Sequence, residues 1–325
     1  MRYIVQAFAL ALCLSCDAAG LAFAQAYPAK PVRMIVPFPP GGAADLIGRV
    51  LAQRLSDHVG QPVIVENRAG ASGNIGAEAV AKAQGDGYTI LMGALTSHSI
   101  NHTLERKVLR YDLERDLSPV MIVATVPYVL VVHPSVPARS MQEFIAHARA
   151  KPGHLTYGSS GAGAPQRLAA EMFKSRAGID MLHVPYKGSG QVINDLVGGQ
   201  VLAAFESVPA ALPHIRGGRL RALAVTTTRR IPMLPDVPTV EETESFTFEA
   251  SSTFGILVPA GTPAAVIERL HSALADTVQL PDVKERLLQQ GAFAESTTAE
   301  EAARRIRSEI AMWAKVINEA HIKTD

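Results

Sequence analysis

Cysteine is nearly absent, and the two that occur are badly placed for a structural role. Cys13 and Cys16 lie together in an apolar N-terminal segment. No disulfide framework can be drawn across the rest of the chain, and a Cys-x-x-Cys spacing inside such a segment reads as chance, not as a redox motif. A dominant charge is missing too: 31 Lys and Arg face 30 Asp and Glu, a formal net charge of +1. That leaves no global field to hold nucleic acid or an anionic membrane surface. Beyond the N-terminal segment, no apolar run approaches the roughly 20 residues needed to cross a bilayer as a helix. What the chain has is bulk. Its 325 residues are 48% hydrophobic and 19% charged, too apolar for disorder and long enough to predict two domains.

The N-terminus carries an export pattern. Met1-Arg2 precedes an apolar run from Ile4 to Leu14, then Asp17 and a stretch of small residues. Ala22-Phe23-Ala24 and Ala24-Gln25-Ala26 each offer the small residues a signal peptidase reads. Residues 1–24 are therefore expected to be a signal peptide, cleaved near Ala24 or Ala26, from a soluble exported protein. Lipidation at Cys16 is the rival reading.

From Pro31 onward, short β-branched runs alternate with helix-length segments, the pattern of an α/β fold with mostly parallel strands. A first series runs through VRMIVPF (from Val32), PVIVEN, YTILMGA and VMIVAT. A second runs through YVLVVHP (from Tyr128), LTYGSS, MLHVPY, VLAAFES and LRALAVTT. Ile47, Val50, Leu51 and Leu55 recur at helical spacing, predicting an amphipathic helix from about Gly42 to His58, ended by Gly60. Pro232, Pro235 and Pro238 exclude a long regular element there. No polar linker separates the two series, which argues for a crossing made of strands.

Two Gly-rich strand-to-helix loops, one per series, stand out. In PFPPGGAAD (Pro37 to Asp45), Gly41 and Gly42 let backbone approach a ligand as a helix begins, and the free N–H groups suit a carboxylate or phosphate. An ordinary βα turn, with Asp45 capping or orienting it, is the plainer alternative. YGSSGAGAPQRLAAEMF (Tyr157 to Phe173) repeats the logic, with Pro165 where a first helical turn tolerates it. Enzymatic motifs come close and fail. Ala162 breaks the GxSxG pattern around Ser160, the dinucleotide fingerprint lacks its last glycine, and no Walker lysine follows either loop. His98 and His102 stand at i and i+4 but lack the HExxH glutamate, so a polar surface or turn is expected in place of a metal. Glu206-Ser207 follows a strand and could reach a cleft or cap a turn. Lys187 could pair with an anion or simply be solvated. No metal or cofactor is called for.

These pieces also resemble, in order, the extracytoplasmic receptors of tripartite tricarboxylate transporters, the Bug-type proteins. The resemblance is carried by YPAKPVRMIVPFPPGGAADLIGR, VENRAGASGNIGAEAVAKAQGDGYTILMG, YGSSGAGAPQRLAAEMF, HVPYKGSG, DLVGGQV, LRALAVTTTRRIPMLPDVPTVEE and FGILVPAGTPAAVIERL. It implies a two-domain periplasmic-binding-protein fold of the type II kind, each domain a mostly parallel sheet flanked by helices and joined by a strand hinge. Domain one would be 27–125 plus 252–325, and domain two 126–251. It implies a monomeric periplasmic receptor without catalysis, capturing a small carboxylate (a di- or tricarboxylate, amino acid or aromatic acid) for membrane transporter subunits. Carried over, its ligand residues are Phe38, Pro40, Gly41, Gly42, Ala43 and Asp45 in the first loop. The second loop contributes Ser159, Ser160, Gly161, Ala164 and Gln166. Asn67, Ser97, Tyr186, Lys187, Glu206 and Ser207 complete the wall. Ala164 and Arg167 replace a common Ser and His, with Arg167 expected toward solvent; Gly190, Gln191 and Leu202 also depart from the pattern, pointing to an atypical substrate. A ligand sensor for a signalling partner, and an exported hydrolase using Ser160, are the alternatives.

Overall fold

The computed structural model describes residues 27–161, 163–186 and 188–322. The expected leader, its cleavage sites, both cysteines and Lys187 lie outside the described residues. The first series folds as β1 (Val32–Val36), α1 (Ala43–Val59), β2 (Val63–Asn67), α2 (Asn74–Ala81), β3 (Thr89–Ala94) and α3 (Leu95–Leu104). The long strand β4 (Leu117–Val132) follows. The second series comprises α4 (Met141–Ala150), β5 (Thr156–Ser159), α5 (Pro165–Ala177), β6 (Leu182–Pro185), α6 (Ser189–Val197), β7 (Ala203–Ser207), α7 (Val208–Arg216), β8 (Arg221–Val225) and α8 (Val240–Thr243). The chain returns through β9 (Ser251–Pro259) to α9 (Ala264–Gln279), α10 (Pro281–Gln289), β10 (Phe293–Ala294) and α11 (Ala299–Glu319).

The strands join in the order β2-β1-β3-β9-β4-β7-β5-β6, with β8 and β10 also on β4. Parallel ladders occupy both flanks, β2-β1-β3 on one and β6-β5-β7 on the other. Between them β9 and β4 run antiparallel to their neighbours. This is an α/β fold whose central strands are apolar on both faces, because helices cover them on both sides. α1 turns Ile47, Leu51 and Leu55 onto Val32, Met34 and Met92. Gly48 allows that close approach, since a Cβ there would stand 3.3 Å from Val36 and 3.4 Å from Met92. Gly60 ends the helix in the left-handed conformation, its N–H returning to Ser56 O.

VMIVAT and YVLVVHP are one continuous strand. β4 pairs with β9 from Leu117 to Pro127, then with β7 and β8 from Tyr128 to Val132. Pro127 has no N–H to give either ladder, and the change of partner falls at that residue. The cores divide accordingly. One gathers around α1 and β3, another around Tyr128, Phe144, Phe173 and Phe205. α11 serves both sides of the division: Ala302 and Ile306 pack with Ile35 and Leu91, whereas Trp313, Val316 and Ile317 pack with Tyr128 and Phe173.

Candidate functional site

The parallel strands of the two flanks run in opposite directions, so their carboxyl ends face each other along β4 and β9, and helices begin just beyond them. A cavity of about 660 Å³ lies there, against β9. Loops after β1, β3, β5 and β6 reach it, the position expected of a ligand site in an open α/β sheet. Four helix N-caps line it: Gly42 for α1, Ala94 for α3, Ala164 for α5 and Gly188 for α6. None of the four has a side-chain cap. Elsewhere Ser140, Thr239 and Thr298 cap α4, α8 and α11 with their hydroxyls, while α2, α7, α9 and α10 have no side-chain cap either. Around the cavity, Arg167 N and Gln191 N turn back to Ala164 O and Gly188 O, and the other first-turn N–H groups are left for a ligand. The described lining carries hydroxyls, amides, prolines and two phenylalanines, and no ionisable side chain.

The family model described as the tripartite tricarboxylate transporter family receptor matches residues 47–322. The chain belongs to that receptor family. Protein BugT of Bordetella pertussis is 40% identical over 300 residues, covering 92% of each chain. A Rhodopseudomonas palustris protein, Rpa4515, solved with adipate, is 36% identical with a TM-score of 0.79; the match covers 92% of this chain and 100% of that one. MatC of the same organism, solved with malate, is 29% identical with a TM-score of 0.76, covering 90% and 100%. The fold is therefore that of periplasmic binding proteins. No described helix is long and apolar enough to cross a membrane.

In this receptor the residues expected at the site fall into two groups. Phe38, Pro40, Gly42, Ala43, Ser97, Ser160, Gly161, Ala164 and Gln166 line the cavity. Gly41, Asp45, Asn67, Ser159, Tyr186, Glu206 and Ser207 are not among its lining, and most of them brace it from behind. Asp45, 2% exposed, accepts from Gly41 N at 2.9 Å, Arg49 Nε at 3.0 Å and Asn67 Nδ2 at 2.8 Å. Asn67 also donates to Phe38 O at 3.0 Å. Together they hold the Pro37–Asp45 turn, where Gly41 takes a left-handed φ of 83°. Burial works to raise the Asp45 pKa, but the bonds from Arg49, Gly41 and Asn67 outweigh it and hold the carboxyl below its ordinary range.

The second loop is braced by Ser159, His183 and Gln166. Buried Ser159 donates to Gly161 O at 3.0 Å and lies 2.7 Å from His183 Nε2. Ser160 Oγ faces Gln166 Oε1 at 3.4 Å. The serine beside a histidine is thus the sealed one, and the serine on the cavity has an amide partner. Tyr186 bonds Asp195 at 2.9 Å, and burial first, then Asp195, pushes its pKa up to about 12.

Glu206, one residue before the end of β7, is fully buried. Ser207 N donates to its Oε2 at 3.2 Å, while Oε1 has no partner. Desolvation raises its pKa to about 7, against small opposing effects of Ser189 and Ser207.

The histidine pair departs from the surface turn expected of it. α3 packs between β9 and α11, so His98 is buried; desolvation lowers its pKa to about 4 and keeps it neutral. His102 lies 3.7 Å from Asp112. Among the described residues, no group of three or more His, Cys, Asp or Glu side chains is placed to hold a metal ion.

Sequence reading missed Ser72, Thr96, Asn101, Gly188, Ser189, Ser252, Thr253 and Phe254, all of which line the cavity. Ser72 stands in a left-handed turn, φ 53°, held by Asn101 Nδ2 donating to its carbonyl at 3.1 Å. Thr96 and Ser189 obey the same strand-to-helix rule that singled out the two loops and were legible by it. Ser252 and Thr253 are not, because they sit inside a strand.

Proposed function

We propose that this chain is a periplasmic solute receptor that captures a small carboxylate in the cavity and delivers it to a membrane transporter of the tripartite tricarboxylate type. The observation that carries this reading is the convergence of four uncapped helix N-termini on one cavity whose described lining has no ionisable side chain. Each terminus contributes only about 0.3–1 kcal/mol to holding an anion. Micromolar binding needs about −8 kcal/mol. Hydrogen bonds from backbone N–H groups and serines to a carboxylate, at roughly 1.5–3 kcal/mol each, make up the difference before association costs. The adipate and malate bound by the two Rhodopseudomonas relatives are ligands of that chemistry.

The lobes that close on the ligand are 27–125 with 252–325, and 126–251. The partner change of β4 at Pro127 and the start of β9 at Ser251 support hinges at those two crossings. The receptor performs no chemistry of its own. Ser160, the nucleophile a hydrolase would require, has Gln166 as its hydrogen-bond partner.

The test is a thermal-shift panel on ligand-stripped protein, pairing small carboxylates with their neutral amides. A cognate acid at 100 times its Kd stabilises by about 2.7 kcal/mol, and its amide should not. Equal shifts from acid and amide, or none from any acid, would remove the carboxylate from the reading.

A further inference from the structure

Backbone strain is concentrated at the cavity. Among the described residues, three other than glycine have a positive φ: Ala71, Ser72 and His321. Two of them are adjacent, in the turn between β2 and α2, and Ser72 lines the cavity. A left-handed backbone is costly for any residue with a Cβ, and such residues persist only where the surrounding structure over-determines them. The same turn uses glycine on either side. Gly70 has φ 133° and Gly73 φ 93°, and a Cβ would stand 2.5 Å from Ile75 Cδ1 at the first and 3.0 Å from Phe38 Cζ at the second. Space as well as torsion requires glycine at both positions. At 72 torsion alone favours it, and a serine stands there.

The turn is held from behind. Asn101, buried on α3, gives both protons of its amide to it: Nδ2 donates to Ser72 O at 3.1 Å and to Asn74 Oδ1 at 3.1 Å. Tyr111 donates to the same Asn74 oxygen at 3.2 Å, and Asn74 Nδ2 donates to Glu105 Oε2 at 2.5 Å. These bonds grip the Ser72 carbonyl and the residue two places on, and leave the Ser72 hydroxyl alone. Among the described residues that hydroxyl has no hydrogen-bond partner, and Ser72 is exposed. A network that fixes the backbone of a strained residue while its side chain stays free at a cavity wall presents that side chain to whatever enters.

We infer that Ser72 is a ligand-binding residue whose hydroxyl donates to an oxygen of the bound carboxylate, with Asn101 and Asn74 as positioning residues that act through the turn. The inference rests on the proposed carboxylate capture. It adds a contact from the turn after β2, which carries none of the four helix N-termini at the cavity.

Calorimetry and thermal melts on the ligand-stripped protein test it, with adipate, succinate, malate, glutamate and benzoate as probes. Ser72→Gly removes the hydroxyl and the strain together. Its melting temperature should rise, while its affinity for the acids that the parent binds should fall about tenfold, the contribution of one hydrogen bond to a charged group. Ser72→Ala keeps the strain and should lose the same affinity at an unchanged melting temperature. Asn74→Ala, outside the lining, should weaken binding in the parent and have no further effect on binding in Ser72→Gly, because the contact it positions is then gone. A turn kept only for structure would lose stability and affinity together, or leave affinity untouched. Either Ser72 variant binding as well as the parent, or a melting temperature that fails to rise in Ser72→Gly, would overturn the inference while leaving carboxylate capture intact. Binding of none of the five by the parent would remove both.

Discussion

Two buried acids stand behind the cavity, and they behave in opposite ways. Asp45 is 2% exposed and Glu206 fully buried, so desolvation pushes both pKa values up. Asp45 nevertheless ends below its ordinary range, while Glu206 rises to about 7. The difference lies in the donors. Asp45 collects a guanidinium, a side-chain amide and a backbone N–H; Glu206 has the Ser207 N–H on Oε2, no partner on Oε1, and beyond that only the neutral Ser189 hydroxyl beside it. Burial does not decide whether an acid is charged; the count of hydrogen bonds to its charged form does. One acid is a fixed anion that shapes a loop, and the other is poised to change its state near neutrality.

Removing the fixed anion should have the largest effect. Asp45→Ala leaves Gly41 N–H and the Asn67 amide without their acceptor and should cost roughly 3–4 kcal/mol in urea denaturation. The sign with pH follows from the lowered pKa. The stabilisation is complete above the ordinary value of 3.8 and is lost as pH falls through the lower folded value, so the gap between variant and parent must narrow in acid. A gap independent of pH would mean Asp45 acts by shape alone.

Glu206→Gln comes next and has the opposite sense. A raised folded pKa gives stability that is fully present below the ordinary 4.5 and lost as pH climbs through about 7. Gln does not titrate, so the variant should gain on the parent by up to roughly 3 kcal/mol between pH 4.5 and 8. Parallel melting curves across that range would contradict the assignment.

The smallest effects separate two adjacent glycines. Gly41 is left-handed, so Gly41→Val should cost about 1–2 kcal/mol although no atom lies within 4 Å of its added Cβ. Gly42 has an ordinary φ of −78°, so Gly42→Val should change stability by less than about 0.5 kcal/mol. It should still weaken carboxylate binding in calorimetry, because Gly42 lines the cavity and Gly41 does not. Equal stability losses at both positions would show that backbone strain does not distinguish them.

Much of this was legible in one dimension. Ile47, Leu51 and Leu55 at helical spacing, with Gly60 after them, mark α1 to within a residue at each end, because periodicity and a left-handed cap are local signals. The two Gly-rich loops were legible for the same reason, and both reach the cavity. Asp45 and Asn67 were expected at the ligand and instead hold the loop that faces it. Spacing places a residue in a loop, and only the packed turn decides which way its side chain points.

The sequence by itself determined the element order, the α/β class, a crossing made of strands between the two series and the two loops that end in helix N-termini. Each follows from interactions between residues close along the chain. Tertiary structure alone decided the cavity's floor. Thr96 and Thr253 meet across 157 positions of sequence, and Thr253 reaches Glu309 on the last helix. Those contacts exist because β9 returns to lie between β3 and β4 in one register, and a shift of one residue would turn Thr253 to the other face of the sheet.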